Sequence, residues 1–291
     1  MKSLKQQRKI TGLLFVTPSV VILIFVALIP LIFSLITSFF HFTLVDPNFN
    51  EFVSFKNFAA IIKDNYLWNS LKVTLMFVFT VIVVEFILGF FIAILLNQNF
   101  RFKGIFYTIL TIPMVISPIS VGLLWKMFLH PELGIVNYMF SVLHLPYVNW
   151  FVSTKAAFAA IVLVDIWHQV SFMILILLAG LKGLPIEPYE SAKIDGANDL
   201  QRFFYITLPL MKPIIFVAIL IRLVFSFRTF DLIYMMTKGG PGISTDVVSY
   251  YIYRIMFMGM DMSTASSISY MLLIIIIIIV IFLYRQMGRQ K

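Results

Sequence analysis

Of the 291 residues, 61% are hydrophobic and only 12% are charged, and the mean hydropathy is +0.99. A water-soluble domain carries about a quarter charged residues, so this composition excludes one. The formal charge of +9 is scattered over short loops and builds no basic groove, which argues against a nucleic-acid partner.

A bilayer core is spanned by about 20 helical residues. Apolar stretches of that length run near 12–38, 72–96, 105–128, 157–180, 213–236 and 264–284. The first exceeds the ~7–15 apolar residues of a signal peptide and lacks a small-residue cleavage site, so it reads as a retained span. The expected fold is all-α, a polytopic bundle of six transmembrane helices. Pro18, Pro30, Pro113 and Pro118 lie inside spans, where neighbouring helices can satisfy the freed carbonyls, so kinks are expected. In loop 41–70 the run Ser54-Phe55-Lys56-Asn57-Phe58 predicts a short helix lying against the membrane. Loop 129–156 holds Pro131, Gly134 and Pro146, with Trp150 at a position suited to the interface. Gly239-Gly240-Pro241-Gly242 opens loop 237–262 and cannot continue a helix.

Orientation follows from the basic residues at span ends. One set of loops carries Lys2, Lys5, Arg8, Lys9, Arg101, Lys103, Lys182, Lys193, Arg202, Lys212, Arg285, Arg289 and Lys291. The opposite set carries Lys56, Lys63, Lys72, Lys155, Lys238 and Arg254 over longer segments. The first set is therefore expected in the cytoplasm, with both termini inside.

The chain contains no cysteine, so no thiolate metal site exists, and the histidines show no ligand spacing. No Gly-rich phosphate loop occurs, so neither catalysis nor a cofactor is expected, and any nucleotide hydrolysis would belong to another chain.

Segment 181–212 is polar inside an apolar chain. Pro185 and Pro188 stand where a helix tolerates a missing N–H, and Glu187 and Glu190 suit a first helical turn. Gly196 lets the chain turn, and Leu200, Phe203 and Phe204 follow together at helical spacing. Pro209 and Pro213 are expected to mark the return into the membrane.

Within it, Glu190, Ser191, Ala192, Gly196, Ile206, Leu208 and Pro209 match the spacing E-A-A, three residues, G, nine residues, I-x-L-P. This resembles the EAA loop of permease subunits in binding-protein-dependent ABC importers. Further stretches resemble the carbohydrate branch: Pro113 to Pro118, Gly122 to Trp125, then Pro131, Gly134 and Asn137, and later Phe230 to Tyr234, Thr237 to Gly242 and Tyr251 to Arg254. Ser191 departs from the motif's alanine but is small and helix-compatible.

The resemblance implies a type I ABC importer transmembrane domain at 72–285, its coupling loop at 187–209, after an N-terminal helix and extracytoplasmic loop at 1–71. It implies a multi-pass subunit of a bacterial cytoplasmic (inner) membrane. Its partners would be a second homologous permease, two ABC ATPase subunits, an extracytoplasmic solute-binding protein, a carbohydrate and membrane lipid. ATPase coupling would fall to Glu190, Ser191, Ala192, Asp195, Gly196, Ala197, Leu208 and Pro209.

A charge at the bilayer centre costs about 2.5–3.5 kcal/mol on insertion scales, so Glu85, Asp165, Arg222, Arg228 and Asp231 are expected to face the bundle or water. Asp165, His168 and Phe172 share a face of the fourth span. Arg228 and Asp231 are expected one turn apart on the fifth, and Ser267 and Tyr270 belong to a polar stripe on the sixth. These residues are the expected substrate pathway. Against that, Asp165 and Arg228 would serve equally as a structural pair, the serines suit helix packing, and Glu85 reads as a buried paired acid. An ion-coupled secondary transporter is the alternative, but the scattered acids form no relay.

The orientation is checked by thiol labelling of this cysteine-free chain in intact cells. Cysteines replacing Asn57, Asn149 and Ser244 are expected to react with an impermeant reagent, and one replacing Asn198 is not. Labelling at Asn198 from outside would reverse the topology.

Overall fold

The helices of this computed structural model are interrupted where the sequence removes backbone donors. The structure describes residues 4–288, with side chains over 13–286. Lys2, Arg289 and Lys291, and the side chains of Lys5, Arg8 and Lys9, lie outside the described residues. The first helix runs as α1 (Leu4–Leu23), a π-helical turn (Ile24–Leu28) and α2 (Ile29–Ser38). In that wide turn Ile29 N–H bonds Ile24 C=O, one residue further back than in an α-helix. Pro30, which has no N–H, follows directly.

After α3 (Lys56–Ile62) and α4 (Asn65–Asn97) comes the sharpest break, between α5 (Lys103–Val115) and α6 (Pro118–Phe128). These two are bent by 99°. Pro118 cannot donate to the carbonyl of Met114, and the residues before it are driven out of helical geometry: Ile116 has ψ 138° and Ser117 ψ 135°. The remaining elements are α7 (Ile135–Val142), α8 (Thr154–Lys182), α9 (Glu187–Ile194), α10 (Asp199–Arg202) and a π turn (Phe203–Thr207). They continue with α11 (Leu208–Phe227), α12 (Asp231–Met236), α13 (Val248–Tyr253), a π turn (Arg254–Met258) and α14 (Met262–Gly288).

Among the described residues, five helices are long and apolar enough to cross a membrane: Leu13–Ser38, Asn65–Asn97, Thr154–Lys182, Asp199–Phe227 and Met262–Gln286. The bent pair α5–α6 occupies the place of the expected third span. The fifth expected span, 213–236, needs correction. It begins at Asp199, continuous with the coupling segment, and stops at Phe227. Neither Pro209 nor Pro213 starts a new helix. Leu208 N–H bonds Phe203 C=O across a π turn, and the helix passes Pro209 without breaking.

The chain forms two compact units, one reaching Asp64 and taking in Ile252–Leu273, the other Asn65–Tyr251 with the end of α14. In the first, α14 serines hold the first helix: Ser34 Oγ bonds Ser266 Oγ at 3.1 Å and Ser267 Oγ bonds Ser38 C=O at 3.3 Å. Asn57 of α3 donates to Ser38 and Phe40 carbonyls, and Phe39 packs edge-on against Phe55.

In the second unit, α4 and α8 run parallel, because Asn97 and Lys182 line one cavity at a common end. The chain between them must therefore cross once, through α5–α6. α5 lies antiparallel to α8, with Leu110 C=O accepting from Ser171 and Ile116 C=O from His168. Phe90, Ala93, Met173, Leu177, Met211 and Ala218 close the core between α4, α8 and α11.

Small residues permit this approach. A Cβ on Gly89 of α4 would stand 2.9 Å from Met173 Cβ, whereas one on Gly104 meets nothing within 4 Å. Gly89→Leu is therefore expected to overpack the contact and cost about 1–3 kcal/mol, read as a lower melting temperature in detergent. Gly104→Ala is expected to leave it unchanged.

Candidate functional site

The segment expected to couple, 187–209, is built by two local motifs in series. Helix α9 ends in a Schellman turn: Ala197 N–H bonds Ala192 C=O at 2.9 Å and Gly196 N–H bonds Lys193 C=O at 3.2 Å. The residue after the cap must be left-handed, and Gly196 has φ +81°. A Cβ there meets nothing within 4 Å, so conformation rather than space calls for glycine. Asn198 then caps α10 in a capping box with Gln201, both bonds formed at 2.8–2.9 Å. Tyr189 Oη donates to Thr207 Oγ1 at 2.9 Å, tying α9 to the π turn.

Of the expected coupling residues, the structure brings Ala192, Asp195, Gly196 and Ala197 around one shallow cavity of about 320 Å³. Glu190 and Ser191 lie exposed on α9 outside it, and Leu208 and Pro209 open α11. Of the expected grouping, Phe203 and Phe204 touch edge-on with ring centroids 5.1 Å apart but face different surroundings. Phe203 turns inward, 5.7 Å from Phe90, because the π turn rotates it toward the α4–α8 core. Leu200 and Phe204 stay exposed, as do Ile194 (86%) and Tyr205 (80%).

A second site lies midway along the bundle. Arg222 of α11 is 2% exposed, Glu85 of α4 0% and Asp165 of α8 4%. Arg222 Nε and Nη2 grip Glu85 Oε2 and Oε1 at 2.6 and 2.8 Å. Nη2 also bonds Asp165 Oδ2, and Nη1 donates to Ser226 Oγ at 2.8 Å. Glu85 is thus the buried paired acid expected from the sequence. The pairing of Asp165 with Arg228 is corrected: its partner is Arg222. Arg228 lies six residues on, about 9 Å further along the helix axis, at the C-cap of α11.

Beside this cluster is a cavity of about 470 Å³ walled by Asp165, His168, Phe172, Arg222, Arg228 and Asp231, with Gln169, Phe225 and Phe230. It opens where two helices are discontinuous. Pro118 begins α6 after the bend, and Arg228 and Asp231 flank the gap between α11 and α12, so they do not share one helix as expected. His168 bridges the first break. Gln169 Nε2 donates to its Nδ1 at 3.1 Å, leaving Nε2–H to donate to the Ile116 carbonyl at 3.0 Å. Among the described residues neither Arg228 nor Asp231 makes an ion pair.

Five of the expected pathway residues meet here. Ser267 and Tyr270 do not line this cavity: Ser267 packs on Ser38, and Tyr270 Oη donates to Leu31 C=O at 2.5 Å. Gln169, Phe225 and Phe230 were missed. Only Phe230 carried a sequence signal, as part of the Phe230-to-Tyr234 stretch.

A family model described as binding-protein-dependent transport system inner membrane component matches residues 85–289. The chain belongs to this family. It is 35% identical over 254 residues to the sulfoquinovosyl glycerol transport system permease protein SmoG of Agrobacterium fabrum, covering 87% of this chain and 82% of the relative. It is 33% identical over 256 residues to the trehalose/maltose transport system permease protein MalF of Thermococcus litoralis, covering 88% and 86%. The crystal structure of a bacterial ABC transporter involved in alginate import matches with a TM-score of 0.85 at 24% identity, covering 99% of both chains. That likeness concerns the fold, a helical importer permease. This inner-membrane component is therefore a transport subunit and not an enzyme, and the ion-coupled alternative falls away.

The buried cluster makes a separable prediction. Arg222→Met leaves two carboxylates uncompensated, a loss of about 3–5 kcal/mol, and is expected to abolish the monodisperse peak in fluorescence-detected size exclusion. Combining it with Glu85→Gln and Asp165→Asn is expected to restore most of that peak.

Proposed function

We propose that this permease forms the translocation path of an ATP-driven carbohydrate importer together with a second, related permease. Two ATPase subunits would power it from the cytoplasm, and an extracytoplasmic binding protein would deliver the sugar. Relatives named for sulfoquinovosyl glycerol and for trehalose and maltose support the substrate class. So does the chemistry of the mid-bundle cavity: aromatic faces at Phe172, Phe225 and Phe230 suit the apolar side of a sugar ring. Asp165, Gln169, Arg228 and Asp231 suit its hydroxyls. Both termini would be cytoplasmic, with the permease domain spanning 72–285.

The observation that carries the coupling reading is continuity. One end of the segment 187–209 runs without interruption into α11, which walls the cavity, and the other is joined to α8, a second wall, by residues 183–186. α8 ends at Lys182 just before α9, and α10 passes through the π turn into α11. From Arg202 to Arg222 is about 30 Å of helix at 1.5 Å per residue. A displacement of α9–α10 by closing ATPase subunits would therefore reach the cavity through the continuous α10–α11 helix, and reach α8 through the short connection 183–186. The exposed apolar side chains Ile194, Leu200 and Tyr205 fit a docking surface for such a subunit, with Glu190, Ser191, Ala192, Asp195, Gly196, Ala197, Leu208 and Pro209 as its framework.

A photoreactive residue placed at Ile194 or Tyr205 is expected to crosslink an ATPase subunit in cells. Gly196→Val, which forces a β-branched residue into the left-handed region at about 1–2 kcal/mol, is expected to insert normally. It should depress uptake and binding-protein-stimulated ATPase activity several-fold. Normal uptake with normal stimulation would refute the docking role.

A further inference from the structure

Helix α7 (Ile135–Val142) exposes an apolar stripe and buries its one amide side chain. Its apolar residues recur at helical spacing, Ile135, Tyr138, Met139, Val142 and then Leu143, and all five point outward, 52–68% exposed. The polar residue on the opposite side, Asn137, is instead 7% exposed. Asn137 Nδ2 donates to Pro131 and Val148 carbonyls at 3.0 Å each, and its Oδ1 accepts from Val148 N–H at 3.4 Å. Phe140, also on the inner side, packs against Trp150 with ring centroids 6.0 Å apart. One amide side chain and one aromatic contact therefore hold the helix with its apolar stripe turned out.

An outward stripe of this kind marks a surface covered by something apolar. The chain dictates where that surface lies. α7 hangs between α6, the second half of the broken span, and α8, a full span. Residues 129–134 connect it to α6, a linker reaching at most about 20 Å if extended. It is shorter than that, since Gly134 N–H folds back onto His130 C=O at 3.0 Å. The helix therefore sits at the edge of the bilayer. Tyr138, with Tyr147 close behind, supplies side chains that favour the interface, apolar in body and polar at the tip.

We propose that α7 is an in-plane membrane anchor, its stripe seated in the boundary between lipid headgroups and acyl chains and its orientation set by the Asn137 clamp. The lipid surface fits better than a protein partner because residues 129–134 tether α7 directly to α6, half of the broken membrane span. The role would be to fix the outer ends of α6 and α8 at one depth while the rest of the bundle moves.

The test uses the transporter complex purified through this chain and placed in nanodiscs of phosphatidylethanolamine and phosphatidylglycerol. Nitroxide labels go on single cysteines replacing Met139, Val142 or Ser141, and the cysteine-free chain in the same complex supplies the background. Power-saturation EPR then compares collision with oxygen, which concentrates in lipid, and with a water-soluble nickel chelate. The oxygen-to-nickel ratio is expected to be several-fold higher at Met139 and Val142 than at Ser141, which faces away from the stripe. Equal, nickel-dominated ratios at all three positions would overturn the anchor by placing the helix in water. Shielding of Met139 and Val142 from both reagents would overturn it in favour of a protein partner.

Discussion

The guanidinium of Arg222 joins three helices at a buried point. Each buried ion loses several kcal/mol of hydration, and only close, complete pairing returns it. Here the pairing is nearly complete, since Nε and Nη2 take both oxygens of Glu85, Nη2 also reaches Asp165, and Nη1 reaches Ser226. The bidentate grip leaves little freedom in the rotation of α11 relative to α4. With α11 set, Phe225 and Arg228 face the cavity, while Met211 and Ala218 enter the core with Phe90 and Leu177. Arg222 and Asp165 also wall the cavity, so the interaction that orders the bundle borders the mid-bundle space.

That space exists because two helices are broken at the same level. Proline chemistry opens α5–α6, and the chain leaves helical geometry again between Phe227 and Asp231. Irregular backbone at membrane depth is tolerated where it lines a cavity and finds partners. The partner of Ile116 is His168, whose tautomer is fixed by its sequence neighbour Gln169. A carboxylate, a histidine and an aromatic on one face of α8 therefore divide their tasks: Asp165 completes the ion cluster, His168 seals the break, and Phe172 faces the cavity.

The π turns show how a long apolar helix accommodates a proline without losing its course. In both α1–α2 and α10–α11 the residue before proline bonds five residues back, and the helix continues. In the second case this joins the coupling segment rigidly to α11. It also turns Phe203 inward while leaving Phe204 and Tyr205 outside, so one wide turn decides both the stiffness of the connection and the composition of its exposed face.

Hydropathy by itself determined that the chain is a membrane bundle, because about 20 apolar residues in a row admit almost no other fate. The sequence also determined the coupling segment, since a Schellman glycine and a capping box act over three to six residues and are written in adjacent letters. Asn198 and Gln201 need nothing distant to find each other. Tertiary structure alone decided the partner of Arg222. Glu85 lies 137 residues away, and no local rule distinguishes Arg222 from Arg228 as the arginine level with Asp165. It also decided that Arg228 and Asp231 sit on opposite sides of a helix break, and that Ser267 and Tyr270 spend their hydroxyls on packing. Periodicity reports which residues share a face of one helix, but a cavity is walled by faces of several, and their relative heights are set only when the helices pack.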